Sequence, residues 1–178
     1  KKDVARPRLP IDRSFTITGF GTVVTGTLVD GSLEVGQEVE LAVSGRITRI
    51  RGLQTHRQKE ELAEPGTRVA ANLIGVPHEE IHRGEVLTIP GWLRPTTAFD
   101  VHLRVIPDAP QSLRHNMFVT VHTGSSEAIA RLRLLEGDRA EPGQTTWAQL
   151  KLETPLAVAK SDYFVIRSNL TTLGGGNI

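Results

Sequence analysis

Ser14-Phe15-Thr16-Ile17-Thr18-Gly19-Phe20-Gly21-Thr22-Val23-Val24-Thr25-Gly26-Thr27-Leu28-Val29 is the stretch that decides the fold class. It is dominated by Thr, Val, Ile and Phe, whose stiff or flat side chains suit a pleated surface. No 3.6-residue apolar period runs through it, so it predicts strand. Asp30-Gly31 then supplies a turn. Beyond it, Val35 to Val43 sets Val35, Val39, Leu41 and Val43 against Glu38 and Glu40. Further strands are predicted at Arg46 to Leu53, Arg68 to Ile74 and Gly84 to Ile89, with a turn at Pro65-Gly66. The polar stretch His56 to Glu64 reads as a long loop or a short helical turn.

The second half repeats this texture. Strands are predicted over Ala98 to Ile106, Met117 to Thr123, Ala128 to Leu135, Thr145 to Leu152 and Tyr163 to Ser168. Gly174-Gly175-Gly176 reads as the end of compact structure or a turn out of it. Pro90-Gly91-Trp92, with Pro95 just beyond, marks a change of composition, which divides the chain into residues 1–91 and 92–178. Ala63-Glu64-Pro65-Gly66 recurs as Ala140-Glu141-Pro142-Gly143, each time between an arginine-bearing strand and a long strand, which points to two similar β modules. Many short strands with no helices between them favour small closed barrels. The expected fold is therefore all-β, two consecutive barrels of about six strands at the usual strand length.

Composition narrows the chemistry. The 178 residues carry 21 Lys and Arg against 20 Asp and Glu, a net charge of +1, which excludes a histone-like basic protein and makes any nucleic-acid face a local one. There is no cysteine, which excludes disulfides, thiolate metal sites and a cysteine nucleophile. No apolar run approaches the ~18 residues of a membrane helix, so no membrane partner and a cytoplasmic setting are expected. There is no Walker-type loop, Gly19-Phe20-Gly21 lacks the context of a dinucleotide fingerprint, and Gly124-Ser125-Ser126 is not a nucleophile elbow. His78 and His82 stand four apart, but Pro77 and Gly84 leave too little room for the helix a metal pair needs. No catalytic residue and no metal ligand is expected. Arginine is the telling residue, because its fork suits phosphate and other anions. Phe15, Phe20, Phe99, Phe118 and Phe164 lie in apolar contexts and are expected in the core, which disfavours base stacking and leaves recognition of an RNA duplex by backbone and shape.

Arg8-Leu9-Pro10-Ile11-Asp12-Arg13-Ser14-Phe15-Thr16-Ile17-Thr18-Gly19-Phe20-Gly21-Thr22-Val23-Val24-Thr25-Gly26-Thr27 resembles the opening of the second domain of translational GTPases of the elongation factor Tu type. The spacing to Val35-Gly36-Gln37-Glu38-Val39, to Pro65-Gly66-Thr67-Arg68-Val69 and to Ile81-His82-Arg83-Gly84-Glu85-Val86-Leu87 is similar as well. The resemblance covers nearly the whole chain and implies barrels of the domain II and domain III types. Within that family the selenocysteine-specific factors are the nearer likeness. Asp12-Arg13 stands where the general factors have two acidic residues, Arg68 where they have an asparagine, and Thr171-Thr172-Leu173-Gly174-Gly175-Gly176 is similar to the close of the third domain.

This resemblance implies delivery of selenocysteinyl-tRNA to the ribosome at recoded UGA codons. A GTPase domain and C-terminal domains are implied outside this chain, and GTP and Mg²⁺ belong to the former, with no cofactor and no enzymatic activity in these barrels. The implied aminoacyl pocket is Asp12, Arg13 and Arg68. A selenol is a stronger acid than a thiol, so selenocysteine is largely an anion at neutral pH whereas serine is neutral. Two unit charges ~4 Å apart are worth roughly 4 kcal/mol at an effective dielectric of 20, part of which dehydration takes back. Gln54 and His56 fall near the implied place of the tRNA 3′ end, and Arg114, His115 and Arg167 near that of the T stem. Asp12 and Arg13 alternatively form a structural ion pair. The other readings are the barrel pair of a general elongation or initiation factor, without selenocysteine selectivity, and a β-barrel protein-interaction module.

Overall fold

The computed structural model describes residues 3–178. Two compact units divide between Arg94 and Pro95, three residues beyond the division expected at 91/92. Trp92 lies under the Arg6 guanidinium at 5.6 Å and Leu93 is buried, so these residues pack with the first unit. Among the described residues there is no α-helix, only a single 3₁₀ turn at His78–Glu80.

In the first unit the strands are β1 (Arg8–Ile17), β2 (Gly21–Thr27), β3 (Leu33–Glu34), β4 (Glu38–Leu41), β5 (Arg46–Thr55), β6 (Gln58–Glu60), β7 (Leu62–Ala63), β8 (Arg68–Leu73) and β9 (Val86–Thr88). The antiparallel order β4-β9-β1-β2-β8-β5 returns from β5 to β4 and closes a six-stranded barrel, with β6 hanging from β5 as a hairpin arm. Leu9, Ile11, Val24, Leu28, Leu41, Ile50, Leu73 and Leu87 fill the interior. The long Thr/Val run is not one strand: Gly19 and Gly21, both at positive φ, flank Phe20 and turn β1 into β2. The stretch expected as a loop or helical turn after Thr55 is instead a tight hairpin, because His56 and Arg57 both take positive φ and return the chain as β6.

The second unit holds β10 (Thr96–Val105), β11 (Leu113–Arg114), β12 (Phe118–Thr123), β13 (Ser126–Leu134), β14 (Arg139–Ala140), β15 (Thr145–Leu156), β16 (Tyr163–Ser168) and β17 (Thr171–Asn177). Its closed barrel runs β10-β15-β13-β12-β16-β17 around Leu103, Val121, Leu132, Leu150, Phe164 and Ile166. The glycine triplet does not leave the fold. It is the middle of β17, wedged between β10 and β16. A Cβ at Gly174 would stand 2.6 Å from the Arg104 carbonyl oxygen, one at Gly175 would stand 2.6 Å from that of Phe164, and one at Gly176 would overlap that of His102.

The repeated tetrapeptide marks the same device in both barrels. Ala63 and Ala140 are buried ends of two-residue strands, paired with Leu33 and Leu113. Gly66 and Gly143 follow at positive φ and donate their N–H groups to the carbonyls of Leu28 and Val105. The partner ribbons agree too: Gly36 and Asn116, again at positive φ, each donate an N–H over 2.7 Å, to Ile50 and Leu132.

Candidate functional site

The outer face of the first barrel carries the chemistry. A β-bulge in β1 sets the pattern: Ile11 pairs with Gly26 and Arg13 with Thr25, leaving Asp12 as the extra residue. A bulge of this kind turns successive side chains toward one face of the sheet. Ile11 is buried inside, whereas Asp12 accepts a hydrogen bond from the Thr25 hydroxyl at 2.8 Å on the outside. Arg68 opens β8, opposite Thr27. Its guanidinium forks onto Asp12, with Nη1 on Oδ2 and Nη2 on Oδ1, and Nη2 also lies 3.4 Å from the Thr25 hydroxyl. Two parallel N–H···O bonds fix both position and plane of a guanidinium.

The partner of Asp12 is therefore Arg68 and not Arg13, which sets aside the alternative of an Asp12–Arg13 pair. The Arg13 side chain is exposed and makes no hydrogen bond or ion pair among the described residues. The hydrogen bonds from Arg68 hold the Asp12 carboxyl below the usual carboxylate range; partial burial opposes them, and the Thr25 hydroxyl and the charges of Arg68 and Arg83 add to them. Asp12 in turn raises the pKa of Arg68. With its folded pKa depressed, Asp12 contributes stability that is whole above its unfolded pKa of about 3.9 and is lost as pH falls through the lower folded value. Carboxyl carbon NMR is expected to give Asp12 a midpoint below that of an ordinary aspartate, and the midpoint is expected to rise in Arg68→Ala, which removes the largest cause of the depression.

Beside this pair lies a pocket of about 410 Å³ lined by Ile17, Phe20, Val23, Leu53, Gln54, Ala70 and Asn72, with Arg51, Lys59 and Glu60 among its charged residues. Phe20 is 54% exposed on its glycine-flanked turn, and its carbonyl accepts from Asn72 Nδ2 at 2.8 Å and from Arg51 Nη1 at 3.3 Å. The register joins pocket and ion pair. Arg13 pairs with Thr25, Thr25 with Ala70, Ala70 with Gln54 and Gln54 with Lys59, one row across five strands. At ~4.8 Å between strands, Arg13 stands ~14 Å from Gln54 at the backbone, and Arg68 is two residues along β8 from Ala70, ~7 Å.

The other expected site residues scatter. Gln54 lines the pocket, but His56 sits on the β5–β6 turn and does not. Arg114 faces Arg139 across the β11–β14 ribbon, the His115 ring nitrogen Nδ1 is 3.1 Å from the Leu134 carbonyl, and Arg167 donates to the Leu170 carbonyl of its own hairpin at 2.6 Å. No hydrogen bond or ion pair among the described residues links those three.

The phenylalanines are the clearest correction. Phe164 is buried and Phe99 packs against the core, but Phe15, Phe20 and Phe118 are 37%, 54% and 52% exposed. Phe15 and Phe20 lie on the barrel's outer surface because the alternation they follow restarts at the bulge and at the glycine turn. Sequence reasoning missed Phe20, Arg51 and Asn72. The two glycines around Phe20 were the available signal.

These features have known counterparts. Residues 21–88 match the family model of elongation factor Tu domain 2, and residues 100–178 that of the β-barrel domain of the selenocysteine-specific elongation factor. Consecutive translation-factor barrels are thus the class that fold and matches define. Over 173 residues the chain is 42% identical to the selenocysteine-specific elongation factor of Desulfomicrobium baculatum, an alignment that covers 96% of this chain and 27% of that relative. The chain is thus similar to the two consecutive barrels of selenocysteine-specific elongation factors and spans about a quarter of the length of that relative. Among the described residues no helix is long and apolar enough to cross a membrane.

Proposed function

We propose that the two barrels hold selenocysteinyl-tRNA for delivery to the ribosome at recoded UGA codons, with the first barrel taking the aminoacyl end. One observation carries this reading: a single outward row joins Arg13, whose guanidinium is unpaired among the described residues, to a pocket with an exposed aromatic wall. The pocket offers the Phe20 ring and the apolar sides of Ile17, Val23 and Ala70 to the terminal base, with Gln54 at its edge. The aminoacyl group then extends along β2 and β8 toward Arg13 and Arg68.

Of the two arginines, Arg68 is already compensated by Asp12, so the selenolate draws mainly on Arg13. Asp12 keeps Arg68 oriented and limits the local positive charge, which keeps the site from gathering other anions. The role is binding and orientation; no bond is made or broken by these residues. GTP and Mg²⁺ do not fit the residues present, since the chain has no phosphate-binding loop and the described residues hold no group of three or more His, Asp or Glu placed as metal ligands. Nucleotide hydrolysis falls to a separate domain of the whole factor.

The test is an amide NMR titration of the chain with acceptor-stem minihelices ending in selenocysteine or serine. Shifts at Phe20, Gln54 and Ala70 are expected with both, and shifts at Arg13 and Arg68 with selenocysteine alone. Phe20→Ala is expected to weaken both minihelices about tenfold, the scale of one lost base–aromatic stack. Equal shifts at Arg13 and Arg68 with both ligands would make this a general tRNA-holding pair without side-chain selectivity.

A further inference from the structure

The guanidinium fork beside the pocket already holds an anion, the carboxylate of Asp12. Its Oδ2 accepts from Arg68 Nη1, and its Oδ1 accepts from Arg68 Nη2 and from the Thr25 hydroxyl, each at 2.8 Å. The bulge in β1 sets this carboxylate beside Thr25, and its side chain is only 24% exposed. Arg68 therefore shows an incoming group its charge, but not the paired N–H edge that binds two oxygens at once. Arg13 adds a second guanidinium, and no hydrogen bond of its side chain among the described residues fixes its plane.

Selenocysteine forms two anions that differ in this respect. The selenolate is a single large atom and imposes no fixed hydrogen-bond directions. The seleninate, in which selenium carries two oxygens, is the counterpart of a cysteine sulfinate. It sets two acceptors side by side, as a carboxylate does. Each form bears one negative charge at neutral pH, so the net charge of the site does not separate them. Geometry does. A two-oxygen anion draws most from a preoriented fork. Here that fork is taken, and the oxygens that fill it repel two more. A single-atom anion needs only the positive charge of Arg13 and Arg68, and loses little.

We propose that Asp12 makes the first barrel selective for the reduced, single-atom anion, and that the site turns away aminoacyl ends bearing an oxyanion, oxidised selenocysteine among them. The barrel oxidises and reduces nothing. It binds one oxidation state of selenium in preference to another. This rests on the aminoacyl-end reading above and adds to it the class of anion that is refused and the residue that refuses it.

The test uses acceptor-stem minihelices ending in selenocysteine kept reduced, in serine, and in cysteine sulfinic acid, a stable two-oxygen anion. Wild type is expected to bind the selenocysteinyl end about tenfold more tightly than the sulfinate end, the scale of one hydrogen bond to a charged group. In Asp12→Asn both anionic ends gain from the lost negative charge. The sulfinate end is expected to gain about tenfold more than the selenocysteinyl end, because one Arg68 N–H has lost its carboxylate oxygen. Asp12→Asn/Arg68→Ala has no fork to open and is expected to lose that extra gain. Asparagine keeps the shape of the side chain and an acceptor for Thr25, and a cooperative thermal melt of each variant checks that the barrel is folded. Equal gains for the two anionic ends in Asp12→Asn would overturn the inference and leave Asp12 as a charge alone. Wild-type binding of the sulfinate end as tight as that of the selenocysteinyl end would overturn it without recourse to any variant. In both cases a retained preference for selenocysteine over serine leaves the aminoacyl-end reading standing, whereas loss of that preference in wild type would overturn both.

Discussion

Replacing Arg13 with alanine is expected to remove most of the preference for a selenocysteinyl over a seryl end, while the first barrel stays folded. The side chain is exposed and has no partner among the described residues, so no interaction within the barrel goes with it. Its charge faces the same outer surface as the Asp12–Arg68 pair, and that pair already balances itself. A unit charge near an anion at ~4 Å contributes between roughly 1 kcal/mol in water and 4 kcal/mol at a dielectric of 20, and a tenfold change in affinity is about 1.4 kcal/mol. The expected fall in the selenocysteine-to-serine affinity ratio is therefore about ten- to a hundredfold, nearly all of it on the selenocysteine side. Arg68→Ala should lower the ratio too, but for a different reason: it strips Asp12 of its fork and leaves a bare carboxylate to repel the selenolate. The added substitution Asp12→Asn separates the two effects by restoring part of the loss in Arg68→Ala and little in Arg13→Ala. Dissociation constants of the two minihelices for each variant decide the matter. An unchanged ratio in Arg13→Ala would take Arg13 out of the pocket.

Gly176→Val is expected to prevent the second barrel from closing. The Cβ would overlap the His102 carbonyl oxygen, and a side chain would press on Phe164, whose Cε1 lies 3.4 Å from that Cβ position. Gly176 sits between two strands at once, paired with Leu103 on β10 and with Phe164 on β16, so neither neighbour can yield without breaking a ladder. Overpacking a filled core commonly costs about 1–3 kcal/mol, and a clash with backbone in a closed barrel belongs at or above the top of that range, about 3 kcal/mol or more. Urea denaturation followed through the amide resonances of Val119 and Leu132 should show the second barrel unfolding at much lower denaturant, with first-barrel amides such as Val24 unmoved. Gly52→Ala is the matched control, since open space surrounds its Cβ position and its φ is not positive; it should change stability by less than about 0.5 kcal/mol. Equal stability of Gly176→Val and Gly52→Ala would mean that β17 is not seated as described.

The all-β class and the repeat could be read from the sequence because both rest on local signals: β-branched runs, turn dipeptides, and a tetrapeptide recurring in the same order of strands. Ala63 and Ala140 do the same work in both barrels, and that identity is visible within four residues. The hairpin at Phe20 was hidden because the Thr/Val run continues through it and the turn carries no Asn-Gly or Asp-Gly pair. The Asp12–Arg68 fork joins residues 56 apart, so no local pattern announces it. The resemblance named both residues, yet their pairing, which leaves the Arg13 side chain without a partner among the described residues, depends on the bulge at Asp12. Exposure of Phe15 and Phe20 escapes an apolar-means-buried reading for a physical reason: Phe15 falls on the outward face of β1 beyond the bulge and Phe20 on a glycine-flanked turn, and neither placement follows from the residue's own hydrophobicity. The glycine triplet looks like a signal of flexibility, but its cause is lack of room.

The position of β17 has a consequence for how this polypeptide is made. Until residues 171–177 leave the ribosome, β10 and β16 each lack one neighbour and present unpaired backbone groups along an open edge. Chain growth at about 5–20 residues per second leaves only seconds between the emergence of β16 and that of β17. The closing strand brings one fully buried anchor, Leu173, followed by three glycines, so beyond that anchor its docking leans on backbone hydrogen bonds to partners already in place. The second barrel thus stays an open sheet until its glycine-rich last strand seals it.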